Sequence, residues 1–334
     1  MKNALLVKFL ILMILSSFVI SCKHQQDVEE IDLKSYFKSS DIPFLRFPYR
    51  IDVSDDYLVL FDMASDSMFY HILRYPDLTY LQSIGKKGNA PDEITLPTPF
   101  QIYKNKIVLM DGVKSNLFYY ADSISGRFTL TDNCKMELNR TIDFVVADDS
   151  TVYAEDLSGN SRIIKVSHSK QEMMFDIPVE ASDKKSADIA YLWRSFMAYN
   201  ARLEKLALVA QSGDVLEIYD LKNKTSKVVV GDGGYPRKGG QIEGYHDVKW
   251  RNDKIYALYS GRLRDDLNRS YERGQKEPDG GNIIKVFDAD GNLIKQYRLD
   301  CFINGFTFDK KNTLLLIGVT SNQDDPILFF NLDE

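Results

Sequence analysis

The chain has 334 residues, of which 44% are hydrophobic, 12% aromatic and 27% charged. A chain of this size can bury a large core, and its 19 tyrosines and 19 phenylalanines suit the faces of β-sheets. The formal net charge of −6 argues against nucleic acid as a partner, because nucleic-acid-binding proteins display basic surfaces.

The first 22 residues, MKNALLVKFLILMILSSFVISC, have the layout of a secretory signal. Lys2 and Lys8 precede an apolar run that is too short for a membrane-spanning helix. We therefore expect residues 1–21 to be a signal peptide, whose loss would change the net charge from −6 to −8.

Residues 19–22, VISC, resemble the lipobox of bacterial lipoproteins, which implies cleavage before Cys22 and lipidation of that cysteine. Residues 22–29 would then be a tether. The lipidated cysteine would hold the protein firmly at the membrane, because two or more acyl chains give stable anchoring whereas a single chain binds reversibly. Lys23, directly after the cysteine, implies sorting to the outer membrane. The protein could face either the periplasm or the cell surface. The alternative is an ordinary signal with a chance cysteine.

Short apolar strands, each preceded by a polar turn, recur along the mature chain. The six segments are DDYLVLFD (55–62), NKIVLMD (105–111), DSTVYAED (149–156), EKLALVAQ (204–211), DKIYALYSG (253–261) and KNTLLLIGV (311–319). Their aligned core residues lie 49, 45, 54, 49 and 59 residues apart: Leu58, Ile107, Val152, Leu206, Ile255 and Leu314. Each segment has one strand-like segment before it and one after it. The first five copies also have a fourth strand. Six four-stranded units of this length predict a six-bladed β-propeller over residues 30–334.

The sixth copy lacks a fourth strand because the chain ends at Glu334. An uncovered strand edge invites aggregation, so another segment should pair with it. The mature N-terminus offers EIDLKSYF (30–37), which we expect to complete the last blade and close the ring. A β-sandwich would not explain the six-fold recurrence, and the lack of long helical periodicity excludes α/β folds.

The stretch GKKGNAPDE (85–93) resembles, together with the lipobox and the six units, the TolB-like six-bladed β-propeller lipoproteins of Bacteroidetes. Gly85, Gly88, Pro91 and Glu93 match the motif of that family, whereas Ala90 replaces its usual glycine. The resemblance implies the fold and an envelope location. A phosphate-binding loop is the alternative for this stretch, but Pro97 and Pro99 prevent the helix that such a loop needs. We therefore predict a connector between blades.

The longest loops belong to blades three, four and five, and antiparallel blades place them on one rim. Eight aromatic or cationic side chains of these loops form the predicted binding surface: Tyr191, Trp193, Arg194, Tyr235, Arg237, Lys238, Arg262 and Arg264. Aromatic planes suit sugar rings or peptide anchors, and guanidinium groups suit carboxylates. The competing interpretation is that Trp193 packs beneath its own loop and that the charged side chains are solvated.

Support for catalysis is weaker. The sequence has no GxSxG, HExxH or Cys/His zinc pattern, and only His246 among four histidines is expected near the propeller axis. Asp288-Ala-Asp290-Gly-Asn292 starts like a calcium loop, but Leu299 stands at its twelfth position, so we predict a hairpin turn.

We predict a lipid-anchored binding or scaffold module for a glycan or an envelope protein, with no catalysis and no cofactor expected. The membrane is contacted through the lipid, nucleic acid is not a partner, and a monomer is expected. The alternative is a metal-dependent hydrolase or lyase that holds a divalent metal in the central channel, for which Asp143 and Asp247 are the candidate ligands. No disulfide is expected between Cys134 and Cys301.

Overall fold

The computed structural model describes residues 28–332, except for 39–41, 43–44, 124–125, 137–140, 168–169, 180–185, 239–240, 276 and 323–324. The predicted signal peptide, Cys22 and nearly all of the predicted tether lie outside these described residues. Twenty-five strands and two short helices occur in the described part of the chain. The strands form six sheets arranged as the blades of a propeller, which confirms the predicted fold.

Each of the first three blades is a four-stranded antiparallel sheet whose strands follow in chain order. Blade one contains β3 (Pro48–Val53), β4 (Tyr57–Asp62), β5 (Met68–Arg74) and β6 (Tyr80–Lys86). Blade two contains β7 (Gln101–Tyr103), β8 (Lys106–Asp111), β9 (Asn116–Asp122) and β10 (Phe128–Lys135). Blade three contains β11 (Phe144–Val146), β12 (Thr151–Glu155), β13 (Ile163–Ser167) and β14 (Lys170–Met174).

The last three blades follow the same order, with β1 and β2 added from the N-terminal end. Blade four contains β15 (Ser195–Asn200), β16 (Lys205–Ala210), β17 (Val215–Asp220) and β18 (Thr225–Val230). Blade five contains β19 (Tyr245–Arg251), β20 (Lys254–Tyr259), β21 (Gly281–Phe287), β22 (Leu293–Ile303) and β1 (Glu29–Leu33). Blade six contains β23 (Gly305–Phe308), β24 (Leu315–Val319), β25 (Ile327–Asn331) and β2 (Ser35–Phe37).

The hydrophobic core lies between the blades. Every residue of β4 is buried, because both faces of a second strand pack against neighbouring sheets. Val59 and Phe61 of β4, for example, share one cluster with Ile107 and Leu109 of blade two. Outer strands are exposed instead, as β10 shows, where only Phe128 is buried. Burial on both sides explains why the second strands are continuous apolar runs, and why they gave the clearest repeat signal.

Residues 29–37, which we call the N-terminal belt, close the ring and do so across two blades. β2 pairs antiparallel with β25 of blade six, as the sequence predicts. β1 pairs instead with β22 of blade five, in parallel and with Glu29 opposite Lys295, a contact that the sequence did not predict. Leu33 is 1% exposed and packs among residues of blades five and six. The belt therefore holds these two blades together.

The two faces of the propeller carry different connections. The loops between second and third strands and the connectors between blades lie on one face, the rim, because the strands of each blade alternate in direction. The opposite face carries the tight turns, and we call it the turn face. β1 runs parallel to the fourth strand of blade five, so the belt starts near the turn face and rises toward the rim.

Candidate functional site

Two short helices elaborate the rim beside blades three to five. Helix α1 (Ala187–Leu192) lies in the connector between blades three and four, and its N-cap Ser186 accepts a hydrogen bond from the Ile189 N–H. Helix α2 (Arg264–Glu272) lies in the blade-five insertion and buries Leu267. Neither helix was predicted, although Ser186 before Asp188 and the pair Asp265-Asp266 are typical of helix starts.

A groove of about 630 Å³ lies between α1, the blade-four loop and the start of α2. We call it the rim groove; its lining is Leu157, Ala187, Asp188, Tyr191, Leu192, Arg194, Ser212, Lys238, Gln241 and Arg264. Four of the eight residues predicted from the sequence therefore line a single depression: Tyr191, Arg194, Lys238 and Arg264. They come from three different segments of the chain, which the propeller brings together.

The rim groove has a positive lining with an exposed aromatic ring. Tyr191 is 59% exposed, and the Arg194 guanidinium stacks on its ring at 4.5 Å from the centroid. Arg194 also donates from Nε to Gln211 Oε1 at 2.8 Å, which fixes its orientation. Among the described residues, Lys238 and Arg264 form no ion pair. Asp188 is the one carboxylate among the described lining residues, so these side chains favour a negatively charged ligand.

Two of the predicted contact residues serve the fold. Trp193 is 3% exposed and packs with Ala190 and Val215, so its ring is a support for the rim and not a platform for a ligand. Arg262 donates to Glu243 Oε2 at 2.7 Å and to the carbonyl oxygens of Pro278 and Gly280. Its donors hold the blade-five insertion in place, and it does not line the rim groove.

Tyr235 and Arg237 lie outside the lining of the rim groove. Tyr235 is 55% exposed, and its ring centroid is 6.0 Å from that of the buried Trp193. Arg237 is exposed, and its carbonyl oxygen accepts a hydrogen bond from Gln241 Nε2. Both residues occupy the connector between blades four and five, so they could extend the groove without forming it.

Below the rim groove lies a fully buried ionic cluster that the sequence did not predict. Arg162 of blade three donates from Nη1 to Glu155 Oε1 at 2.7 Å and from Nη2 to Glu217 Oε1 of blade four at 2.7 Å. Its Nη2 also donates to the Trp193 carbonyl oxygen at 3.0 Å. Arg162, Glu155 and Glu217, the buried arginine cluster, thus join two blades and fix the backbone next to Arg194.

The two predicted metal ligands, Asp143 and Asp247, occupy equivalent places in blades three and five. Asp143 Oδ2 accepts from the Met197 N–H of blade four at 2.8 Å, and Asp247 Oδ2 accepts from the Phe306 N–H of blade six at 3.0 Å. Each carboxylate thus joins its blade to the next inner strand. Among the described residues, no three His, Cys, Asp or Glu side chains are grouped as metal ligands would be.

The two histidines in the described part of the chain, His71 and His246, lie in blades one and five. His246 lies at the start of β19, an inner strand, and its Nε2 is 3.8 Å from Glu243 Oε2. His71 is buried on β5 and bonds Ser83 Oγ through Nδ1 at 2.8 Å. His24 and His168 lie outside the described residues.

The stretch GKKGNAPDE forms a closed turn between blades one and two. Glu93 accepts from the Ala90 N–H at 3.0 Å and pairs with Lys86 at 2.6 Å. Lys114 Nζ donates to the carbonyl oxygens of Ala90 and Glu93, each at 2.7 Å. The segment leads into β7 and not into a helix, as a connector should.

Two smaller predictions can be placed in the structure. Asp288 Oδ1 accepts from the N–H groups of Asp290 and Asn292, so the segment that resembled a calcium loop is a hairpin turn. Cys134 lies on β10 of blade two and Cys301 on β22 of blade five, and both are free thiols.

Comparison with known proteins shows the same architecture. The sequence profile of the TolB-like six-bladed propellers matches residues 27–311. A protein of Bacteroides fragilis assigned as exported superposes with a TM-score of 0.54 at 10% identity, over 90% of this chain and 98% of that chain. A member of the DUF4221 family from Bacteroides vulgatus gives 0.56 at 11% identity, over 90% and 95% of the two chains.

A third solved structure is regucalcin, a calcium-binding protein from Agrobacterium tumefaciens, with a TM-score of 0.54 at 12% identity over 91% of this chain and 95% of that chain. At such identities the similarity concerns the fold alone. No curated protein matches the chain by sequence. None of the helices in the described part is long and apolar enough to cross a membrane. Since the family profile covers most of the residues, the chain belongs to the TolB-like six-bladed propeller family.

Proposed function

We propose that this protein is a non-enzymatic binding module of the cell envelope that takes an acidic glycan, or an acidic segment of an envelope protein, in the rim groove. The observation that carries the proposal is the gathering of Tyr191, Arg194, Lys238 and Arg264 around one groove of about 630 Å³. Guanidinium and ammonium groups supply the charge for a carboxylate, and the tyrosine ring supplies an apolar plane.

The location belongs to the same proposal. Cys22 carries the lipid that holds the protein at the outer membrane. The belt begins near the turn face, at Glu29, and only six residues, 23–28, separate Cys22 from it. A short tether at the turn face would leave the rim pointing away from the bilayer, where a large partner can reach it. The exported Bacteroides protein with the same fold supports an envelope location.

The metal-dependent alternative has less support from the geometry. The carboxylates of Asp143 and Asp247 each accept backbone N–H groups from their own strand and from the next blade. These bonds assign both side chains a role in holding the inner strands in register. We therefore place recognition, and not hydrolysis, first.

Binding of polygalacturonate, an acidic glycan, tests the proposal. We expect the double variant Lys238→Gln/Arg264→Gln to bind it at least about tenfold more weakly than the wild type, because two charge-assisted contacts are lost. Lys222→Gln removes an exposed charge from a turn of blade four and is the matched control. Dextran, a neutral glycan, separates charge recognition from sugar binding.

Co-purification with the same variants tests whether the ligand is an envelope protein. Envelope proteins that co-purify with the wild type should be lost with the double variant and retained with Lys222→Gln. If both polygalacturonate binding and co-purification are unchanged in the double variant, the rim groove is not the recognition site.

A further inference from the structure

A second cavity, of about 470 Å³, lies on the propeller axis. Inner strands of all six blades contribute to its wall, and Asn252, Lys310 and Thr313 of the first-to-second-strand turns also line it. This central channel therefore opens at the turn face, opposite the rim groove. Its volume falls in the range of small-molecule sites, about 300–1,000 Å³.

The carboxylates of the channel are engaged by the fold. Asp143 and Asp247 accept backbone N–H groups, and Asp52 Oδ1 accepts from Thr307 Oγ1 at 2.8 Å. Asp309 accepts from the Tyr75 hydroxyl and from the Lys311 N–H.

Three cationic side chains of the channel, by contrast, are not engaged by the fold. Lys249, Arg251 and Lys310 line it, and none of their side chains has a hydrogen-bond or ion-pair partner among the described residues. Arg251 Nη1 is buried without a partner, and its guanidinium stacks on Phe308 at 4.3 Å. An unpaired guanidinium nitrogen in a buried position calls for an anion or a water molecule.

Arg50, which also lines the channel, has an unpartnered guanidinium nitrogen too. It is 4% exposed, and its Nη1 donates to the carbonyl oxygens of Tyr49 and Asn304, while Nη2 has no partner. Its Nε lies 3.6 Å from Asp247 Oδ1, which balances part of its charge. Two of the six unpartnered buried polar atoms in the described part of the chain thus belong to arginines of this channel.

The wall also offers aromatic surface. Tyr103, Tyr199 and Trp250 line the channel and are half-buried. Rings at such positions pack against the flat or apolar body of a ligand, while the charged groups fix its orientation. We infer that the central channel is a second binding site, separate from the rim groove, for a small organic carboxylate that Arg251, Lys249 and Arg50 hold through its anionic group.

Calorimetric titration of the purified protein with three carboxylates, glucuronate, citrate and benzoate, tests the inference. We expect at least one of them to bind, and Arg251→Gln to weaken that binding at least about tenfold. Glucose, which has the ring of glucuronate without its carboxylate, should not compete. Lys249→Gln is a second variant that leaves the packing of Arg251 on Phe308 in place, and it should weaken binding in the same direction.

Rim variants distinguish this site from the one proposed above. Lys238→Gln/Arg264→Gln should leave the binding of the small carboxylates unchanged. The inference is overturned if none of the three carboxylates binds, if binding survives both channel variants, or if the rim variant abolishes it. Loss of polygalacturonate binding in that rim variant does not affect the inference, so the two proposals can fail independently.

Discussion

Two groups of charged side chains lie one above the other at blades three and four, and they use arginine in opposite ways. In the buried arginine cluster, the Arg162 donors meet two carboxylates and a backbone carbonyl, and the side chains are 0–1% exposed. In the rim groove, Arg194 is half-exposed, Lys238 and Arg264 face solvent, and Asp188 is the one carboxylate among the described lining residues. A charge that is fully paired serves the fold, whereas a charge left unpaired at the surface is available to a ligand.

The largest effect should follow from removing the buried cation. Arg162→Met leaves Glu155 and Glu217 buried without a counter-charge, so we expect the free energy of unfolding to fall by about 3–5 kcal/mol. Denaturant unfolding measures it. Arg194→Met at the rim is the matched control and should cost less than about 1 kcal/mol. Equal losses in the two variants would refute the distinction between the groups.

A smaller effect concerns the pH dependence of the free energy of unfolding. Burial raises the pKa of Glu155 from its ordinary 4.5 to about 7. Between these pH values the folded chain keeps a proton that the unfolded chain has released, so this residue lowers stability as the pH rises. Relative to Glu155→Gln, which stays neutral, the wild type should lose about 2–4 kcal/mol between pH 5 and pH 8.

Unfolding curves at several pH values check this expectation. Arg194→Met leaves the cluster intact and should follow the pH dependence of the wild type. If Glu155→Gln shows the same pH dependence as the wild type, Glu155 is not the group that titrates.

The smallest expected effect concerns ligand binding in the rim groove. Ser186→Ala removes the side-chain cap of α1, which costs about 0.5–1 kcal/mol of local stability. Because α1 carries Tyr191, we expect polygalacturonate to bind about two- to fivefold more weakly. Ser226→Ala, on the exposed outer strand of blade four, is the matched control. An undiminished affinity would show that the cap does not position the groove.

The architecture could be predicted from the sequence because the buried second strands repeat every 45 to 59 residues. The pairing of residues 35–37 with the last blade followed from the missing strand of that blade. The parallel pairing of Glu29–Leu33 with β22 could not be foreseen, since nothing in a short amphipathic stretch specifies which sheet edge it covers.

The candidate site was predicted in part. Long loops and their composition pointed to Tyr191, Arg194, Lys238 and Arg264, which the fold gathers at one groove. The burial of Trp193 could not be read from the sequence, because an indole suits a loop core as well as a ligand platform. Arg162 and Glu217 are 55 residues apart, so their pairing appears only when two blades meet.

The belt also determines how the proposed lipid anchor would transmit force. Its first strand runs along the edge of blade five with five residue pairs in parallel register. A pull on the tether from the turn face would act along that strand, so the hydrogen bonds would share the load in shear and would not open one at a time. Traction at the N-terminus would therefore load the junction of blades five and six, which the belt holds together.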